Sequence, residues 1–334
     1  MNKRIRQLIS RQTLNKIMNE YRSFAILVII LIFASIISRD FLSLTNIFNV
    51  IRQVSIVSIL ACGMTFVILT GGIDLSVGAI LGLSGGLSAG VLASVATITG
   101  NSVIAIIAAI LTALVIGTAC GYVNGLFITK GSLPPFIVTL ATMTLLSGLL
   151  LVYTNGAPIR VTNEAYMFIG KGSVLGIPFP IWLLIIVYVI AFLILGHTTF
   201  GRQIYAIGGN KEASRLSGID TVKIETRAYA INGFLAGLGG IILTARLGAA
   251  QPTAGSGFEL DAIAAVILGG TSLSGGQGFV LPTVVGAVIL GVLDNILVLM
   301  NVNPFVSDIV KGGVILAAVL IDRKFKSISK KIEG

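Results

Sequence analysis

Long apolar runs follow one another along this chain from Phe24 to Ile321, parted mostly by short polar breaks. Lipid offers backbone amides no water to bond, so runs of this kind must be helical. About 20 apolar residues cross a bilayer core, with a lower limit near 17. Ten spans are expected, at 24–38, 50–69, 76–96, 102–127, 135–153, 181–196, 228–245, 260–271, 280–299 and 304–321. The eighth is short, which suggests a broken or re-entrant segment. Only G-G-I-D-L-S parts the second from the third. Charged residues make up 11% of the chain, against roughly 25% in soluble domains. Nearly all of it must therefore lie in lipid, or inside protein that lies in lipid. The fold class is an all-α polytopic membrane protein with glycine-broken segments.

The basic residues divide unevenly about these spans. Six precede the first span, Lys130 follows the fourth, five lie between His197 and Arg227, and five between Arg323 and Lys331. All seventeen share one side of a ten-span chain, while the other side holds Arg39, Arg160, Lys171 and Arg246. The positive-inside rule assigns the first side to the cytoplasm. Residues 1–23 are then a cytoplasmic basic tail, 24–322 the membrane domain and 323–334 a second cytoplasmic tail. The first tail is long and lacks a clear small-residue cleavage site, unlike a signal peptide. The net charge of +10 is spread over tails and loop rather than one soluble face, so lipid and not nucleic acid is the expected partner. Cys62 and Cys120 lie in apolar runs and read as small buried hydrophobes.

A few residues suffice to join two spans. The stretch from His197 to Arg227 is far longer. It carries Arg202, Lys211, Arg215, Lys223 and Arg227, interleaved with Glu212, Asp220 and Glu225. It is most simply a surface on which a cytoplasmic protein docks. The opposite side receives the polar segments 153–180 and 246–259.

Glycine is abundant, with 40 residues against 8 prolines. Gly82, Gly85, Gly86 and Gly90 in the third span, and Gly233, Gly237 and Gly240 in the seventh, suit close helix packing. The string G-G-I-D-L-S-V-G at Gly71 to Gly78 is echoed by G-G-T-S-L-S-G-G at Gly269 to Gly276, each after an apolar V-I-L. The echo suggests two related halves, and glycine breaks at matching places point to a substrate path.

Leu273 to Gln277 spells L-S-G-G-Q, a string found in ATP-binding cassette ATPases. No G-x-x-x-x-G-K-[ST] phosphate loop accompanies it, and it lies between two spans, so it reads as a turn. Asp308 and Lys311, three apart, are expected to pair. Asp74 is expected to cap a helix beginning near Leu75, and Asp261 to cap the eighth segment. The only histidine, His197, ends the sixth span, and no metal-ligand spacing exists. An enzyme is not expected.

Three stretches carry a family likeness: G-M-T-F-V-I-L-T-G-G-I-D-L-S-V-G (Gly63 to Gly78), G-R-Q-I-Y-A-I-G-G-N-K-E-A-S-R-L-S-G-I (Gly201 to Ile219) and A-R-L-G-A-A-Q-P-T-A-G-S-G-F-E-L-D-A-I-A-A-V-I-L-G-G-T-S-L-S-G-G (Ala245 to Gly276). The chain resembles, from about residue 24 to 322, the permease subunits of bacterial ATP-binding cassette importers for ribose, xylose, arabinose and galactosides. Y-T-N-G-A-P-I (Tyr153 to Ile159) and the third stretch are similar above all to the ribose members.

The resemblance implies a homodimer in the bacterial plasma membrane with both termini cytoplasmic. It implies ATPase subunits beneath, as two copies or one fused double ATPase, and a soluble sugar-binding protein outside. ATP and Mg would belong to the ATPases, leaving this chain without cofactor or metal. The cargo would be a monosaccharide, D-ribose in the first place, with other pentoses, hexoses or a furanosyl signalling molecule as alternatives. The importers' loop pattern E-A-A-x-x-x-G stands here as E-A-S-R-L-S-G from Glu212 to Gly218, and its further I-x-L-P part is absent. By this resemblance Arg202, Asn210, Glu212, Ala213, Arg215 and Gly218 would couple to the ATPase. A neutral sugar needs hydrogen-bonding groups along its path, and Asp74, Ser76, Asn124, Asn232 and Asn295 are expected near it. Arg160, Glu164, Arg246 and Glu259 are expected to meet the binding protein. Two other classes stay open: an ion-coupled transporter with Asp74 as its carboxylate, and a channel.

Overall fold

The computed structural model describes residues 23–303, 305–314, 316–317 and 320. Apart from Ser23, the two basic tails lie outside the described residues. The chain runs through α1 (Ser23–Ile37), a 3-10 turn at Arg39–Leu42, α2 (Leu44–Leu69), α3 (Val77–Thr99), α4 (Ser102–Thr129) and α5 (Pro135–Thr154). After α6 (Glu164–Lys171) and α7 (Phe179–His197) come α8 (Thr199–Gly209), α9 (Lys211–Leu216) and α10 (Thr221–Leu247). It continues through α11 (Phe258–Leu268), α12 (Val280–Leu299) and a last helix, α13, seen over 305–314.

Seven of these helices, α2, α3, α4, α5, α7, α10 and α12, are long and apolar enough to cross a membrane. Each answers to an expected span. α1 is shorter, and α13 runs into residues outside the description. Two boundaries differ from the sequence reading. α2 starts at Leu44 rather than near 50, because Ser43 caps it by accepting from the Asn46 amide at 3.3 Å. α10 starts at Thr221 rather than 228, capped by Asp220 on the Lys223 amide at 3.0 Å. Polar residues end a hydropathy run without ending a helix, so apolar runs stop short of Asn46, Lys223, Glu225 and Arg227 while the helices include them.

The eighth segment is broken. At about 1.5 Å per residue its 11-residue helix reaches about half of a ~30 Å core. The chain before it descends beside α3 as irregular backbone, with Gly255 and Gly257 left-handed. There the Gly255 and Ala254 carbonyls lie against Gly78 and Gly82, where any β-carbon would collide with them. Such backbone is tolerated at membrane depth only when buried in protein.

α2 and α10 form the interior, with 83% and 78% of their apolar windows buried, whereas α4, α5 and α7 show 22% each and leave a broad apolar face outward. Gly117, Gly121 and Gly125 of α4 lie directly on Gly233, Gly237, Tyr229 and Thr226 of α10, and Gly85 of α3 on Gly240 and Thr244. A methyl at any of these would strike backbone or a hydroxyl, so the packing reading of the helix glycines holds here.

The V-I-L echoes end their helices in one geometry. Gly71 and Gly270 are both left-handed, at φ +84° and +88°. Gly72 donates to Val67 O at 3.1 Å and Thr271 to Val266 O at 3.2 Å, the hydrogen bond that closes a helix C-terminus in a Schellman turn. The equivalence follows V-I-L and is shifted by one residue from the G-G alignment.

Two small ladders mark the end of the molecule away from α8. There β1 (Ile159–Arg160) pairs antiparallel with β4 (Ala249–Ala250), tying the α5–α6 segment to the α10–α11 segment. Nearby, β2 (Ser173–Val174) pairs with β3 (Ile177–Pro178) around left-handed Leu175 and Gly176.

Candidate docking surface and buried polar sites

The long polar loop is folded throughout. Gly201 sits against the Ile194 and Leu195 carbonyls, which lets α8 turn sharply off α7. Thr198 caps α8 on the Gly201 amide at 3.2 Å. α8 buries Ile204 and Ile207, and Asn210 then caps α9 by accepting from the Ala213 amide at 2.9 Å. Arg202, Asn210, Glu212, Ala213, Arg215 and Gly218 are all exposed. Arg215 grips Glu212 through two hydrogen bonds of 2.6 and 3.0 Å, which hold that carboxyl below its usual value. Behind them Lys211 pairs with Glu225 of α10 at 2.8 Å, locking α9 to the membrane helix.

α8 ends against both glycine turns. Gly208 touches the Leu69 carbonyl and the Gly276 amide, and Gly275 packs on Gly71 and Gly208. The Gly276 amide donates to Leu69 O at 3.0 Å, and the Tyr205 hydroxyl to Gly278 O at 2.9 Å. The two echoed breaks thus meet each other and the end of α8 with backbone on backbone.

Four of the five expected path residues form one buried network. Asp74 accepts from the Ser76 amide at 2.9 Å, the Ser76 hydroxyl at 2.6 Å and the Asn232 amide at 2.9 Å. Asn124 donates to Ser76 at 2.8 Å and accepts from Thr142 at 2.7 Å. The Tyr229 hydroxyl bonds the Ile73 carbonyl at 3.3 Å. Asp74, Ser76, Asn124 and Asn232 are wholly buried, and their chain joins the α2–α3 break to α4, α5 and α10. The cap position of α3 is Ser76 rather than Asp74, and Asp74 accepts from the Ser76 amide and hydroxyl just before the helix. The fifth residue, Asn295, lies elsewhere and exchanges two amide hydrogen bonds with Asn46, at 2.7 and 2.9 Å.

At the ladder end Arg160 and Glu164 are exposed, while Arg246 and Glu259 are half-buried, with Glu259 accepting from the Gly257 amide at 3.2 Å. Two expected pairings change. Lys311 does not take Asp308 as its closest partner but Asp294 of α12 at 3.0 Å and Asp261 of α11 at 4.0 Å. Asp261 lies in the first turn of α11, whose cap position is Gly257. Three-apart spacing places groups on one face, but contacts with other helices decide which ones meet.

The family model for the permease component of branched-chain amino acid transport systems matches residues 46–319. The chain belongs to this permease family. The permease is 49% identical to the ribose import permease protein RbsC of Haemophilus influenzae, over 91% of this chain and 93% of the relative. It is 50% identical to RbsC of Bacillus subtilis, over 92% and 94%. The D-allose transport system permease protein AlsC of Escherichia coli is 39% identical, over 91% and 92%. No solved structure matches. A transport subunit built of membrane-crossing helices agrees with all of the geometry above.

Sequence reasoning passed over three features of the permease. Leu216, 74% exposed at the end of α9, is an apolar knob amid the charges of the polar loop, visible only once α9 is known to face outward. Tyr205 and Tyr229 carry hydroxyls that bond the two glycine-turn segments. A tyrosine's place in the sequence gives no hint of where its hydroxyl points.

Proposed function

We propose that this permease is the membrane subunit of an ATP-binding cassette importer that carries D-ribose into the cytoplasm. The near-full-length identity to ribose import permeases of two bacteria carries the reading. Both termini and the α8–α9 loop face the cytoplasm of a bacterial plasma membrane, and two copies assemble on their ATPases. A soluble binding protein delivers sugar to the opposite face, where Arg160 and Glu164 are exposed.

Coupling runs through the loop. The ATPases grip Glu212, Arg215 and Leu216 on α9. When ATP draws them together, α8 moves with α9 and presses on the Leu69–Gly72 and Gly275–Gly278 turns. Left-handed glycines allow these turns to change their backbone angles at small cost. Rigid-body tilting of the helices that the turns join then opens the path to one side at a time.

Gentle purification from the native membrane tests the assignment. An ATPase subunit should accompany the chain in comparable amount, and the complex should take up ribose in proteoliposomes only with ATP and binding protein. Arg215→Glu removes the grip on Glu212 and places a like charge beside it, so it should release the ATPase and lower uptake at least tenfold. Uptake by the chain alone, without ATP, would sink the importer reading in favour of an ion-coupled carrier or channel.

A further inference from the structure

Five charged residues that the coupling scheme does not use gather around one cavity. It has a volume of about 550 Å³ and is lined by Gln53 of α2, Arg246 of α10, Asp261 of α11, Asp294 of α12, and Asp308 and Lys311 of α13. Small-molecule sites run from roughly 300 to 1,000 Å³. Charged side chains inside a membrane protein are costly to bury and mark substrate pathways. Five elements nevertheless bring five charges and an amide to one space.

The depth of the cavity follows from helix geometry. At about 1.5 Å per residue, Gln53 lies some 13 Å along α2 from Leu44, and Asp294 some 8 Å before the end of α12 at Leu299. Arg246 stands beside the last residue of α10. In the ten-span reading all three of those helix ends face outward. The cavity therefore sits in the outer part of the membrane, beneath the face that meets the binding protein.

The chemistry of the lining narrows its occupant. Three carboxylates face two cations, so an anionic ligand would meet net repulsion. Lys311 already bridges Asp294 and Asp261, which leaves a metal ion a cation in its way. What the wall offers is donors and acceptors in near balance of charge. Asp294 holds Lys311 with Oδ2, while its Oδ1 is buried with no hydrogen-bond partner. The Gln53 amide reaches Asp294 only at 3.5 Å. An uncharged polyol supplies the missing donors and accepts from Lys311 and Gln53.

We propose that this cavity is the first sugar-binding site inside the permease, where the hydroxyls of an aldopentose bond Asp294, Asp261, Gln53 and Lys311. The proposal rests on the importer reading and its orientation. Ser256 forms the exposed rim of the cavity.

The test uses permease, ATPase and binding protein together in proteoliposomes, with ribose as the probe. Gln53→Leu and Asp294→Asn should each lower uptake at least tenfold, while the ATPase stays bound and its hydrolysis still responds to the binding protein. Wild-type uptake in both variants overturns the site. Exchanging the pair, as Asp294→Lys with Lys311→Asp, should leave uptake low; recovery to wild type would make the pair structural and overturn the site. A second measurement does not depend on these variants assembling. In a Cys120→Ser background, Ser256→Cys should react with a membrane-impermeant thiol reagent applied from outside, and ribose should slow that reaction several-fold. Labelling that ribose leaves unchanged, or no labelling at all, rejects the site. A wild-type complex that never moves ribose rejects the importer reading instead.

Discussion

At the scale of single residues, burial and bonding partners separate side chains that composition treats alike. Asp74 and Asn295 both interrupt apolar runs, yet Asp74 is wholly buried and held by Ser76 and Asn232, while Asn295 shares a partly exposed amide pair with Asn46. A hydrogen bond to a charged group contributes about 1.5–3 kcal/mol, and a neutral one about 1 kcal/mol. Asn232→Ala removes a donor from the Asp74 carboxylate and should lower the stability of the detergent-purified chain by about 1.5–3 kcal/mol. Asn295→Ala removes two neutral bonds from a partly exposed pair, where water replaces much of what is lost, and should cost about 1 kcal/mol in all. Thermal unfolding of the two variants side by side checks the order; an equal or reversed loss would mean that the Asp74 network is not the stronger one. The polar residue types were legible in the chain. Their partners were not, because each bond spans two helices far apart in sequence, as Asn232 to Asp74 does.

At the scale of elements, the decisive object is the contact between α8 and the two glycine turns. Sequence showed the polar loop, the echoed strings and the V-I-L that precedes each. It gave no reason for the three to touch. Gly208 has no room for a side chain, since a β-carbon there would run into the Leu69 carbonyl and the Gly276 amide. Gly208→Leu should therefore push α8 off the turns while leaving the exposed face of α9 unchanged. The expected result is a complex that still binds its ATPase and hydrolyses ATP but takes up ribose at least tenfold more slowly. Normal uptake would show that force reaches the membrane helices by another route. The eighth segment shows the same division of information. Its shortness was plain from the sequence, while its descending leg depends on the Gly255 and Ala254 carbonyls closing on the bare backbone of Gly78 and Gly82.

At the scale of the whole molecule, orientation is the property that every functional reading shares. Leu175 in the β2–β3 turn is 87% exposed and Leu216 at the tip of α9 is 74% exposed, at opposite ends of the bundle. In intact cells an impermeant thiol reagent should label Leu175→Cys and spare Leu216→Cys, and permeabilised cells should label both. The reverse pattern would invert the topology and place the polar loop outside. The faces of α4, α5 and α7 that leave most of their apolar windows uncovered suit contact with lipid.

The sequence by itself determined the solvent of this protein, its helical class, the seven described helices long enough to cross and the existence of a charged loop. These are properties of runs, and lipid reads runs: a backbone without water must close its own hydrogen bonds. Tertiary structure alone decided which buried polar groups meet, that Lys311 turns to Asp294 and Asp261, and that the two echoed turns share one contact with α8. Those choices depend on how helices cross and how closely glycine lets them approach, and no single segment carries that information.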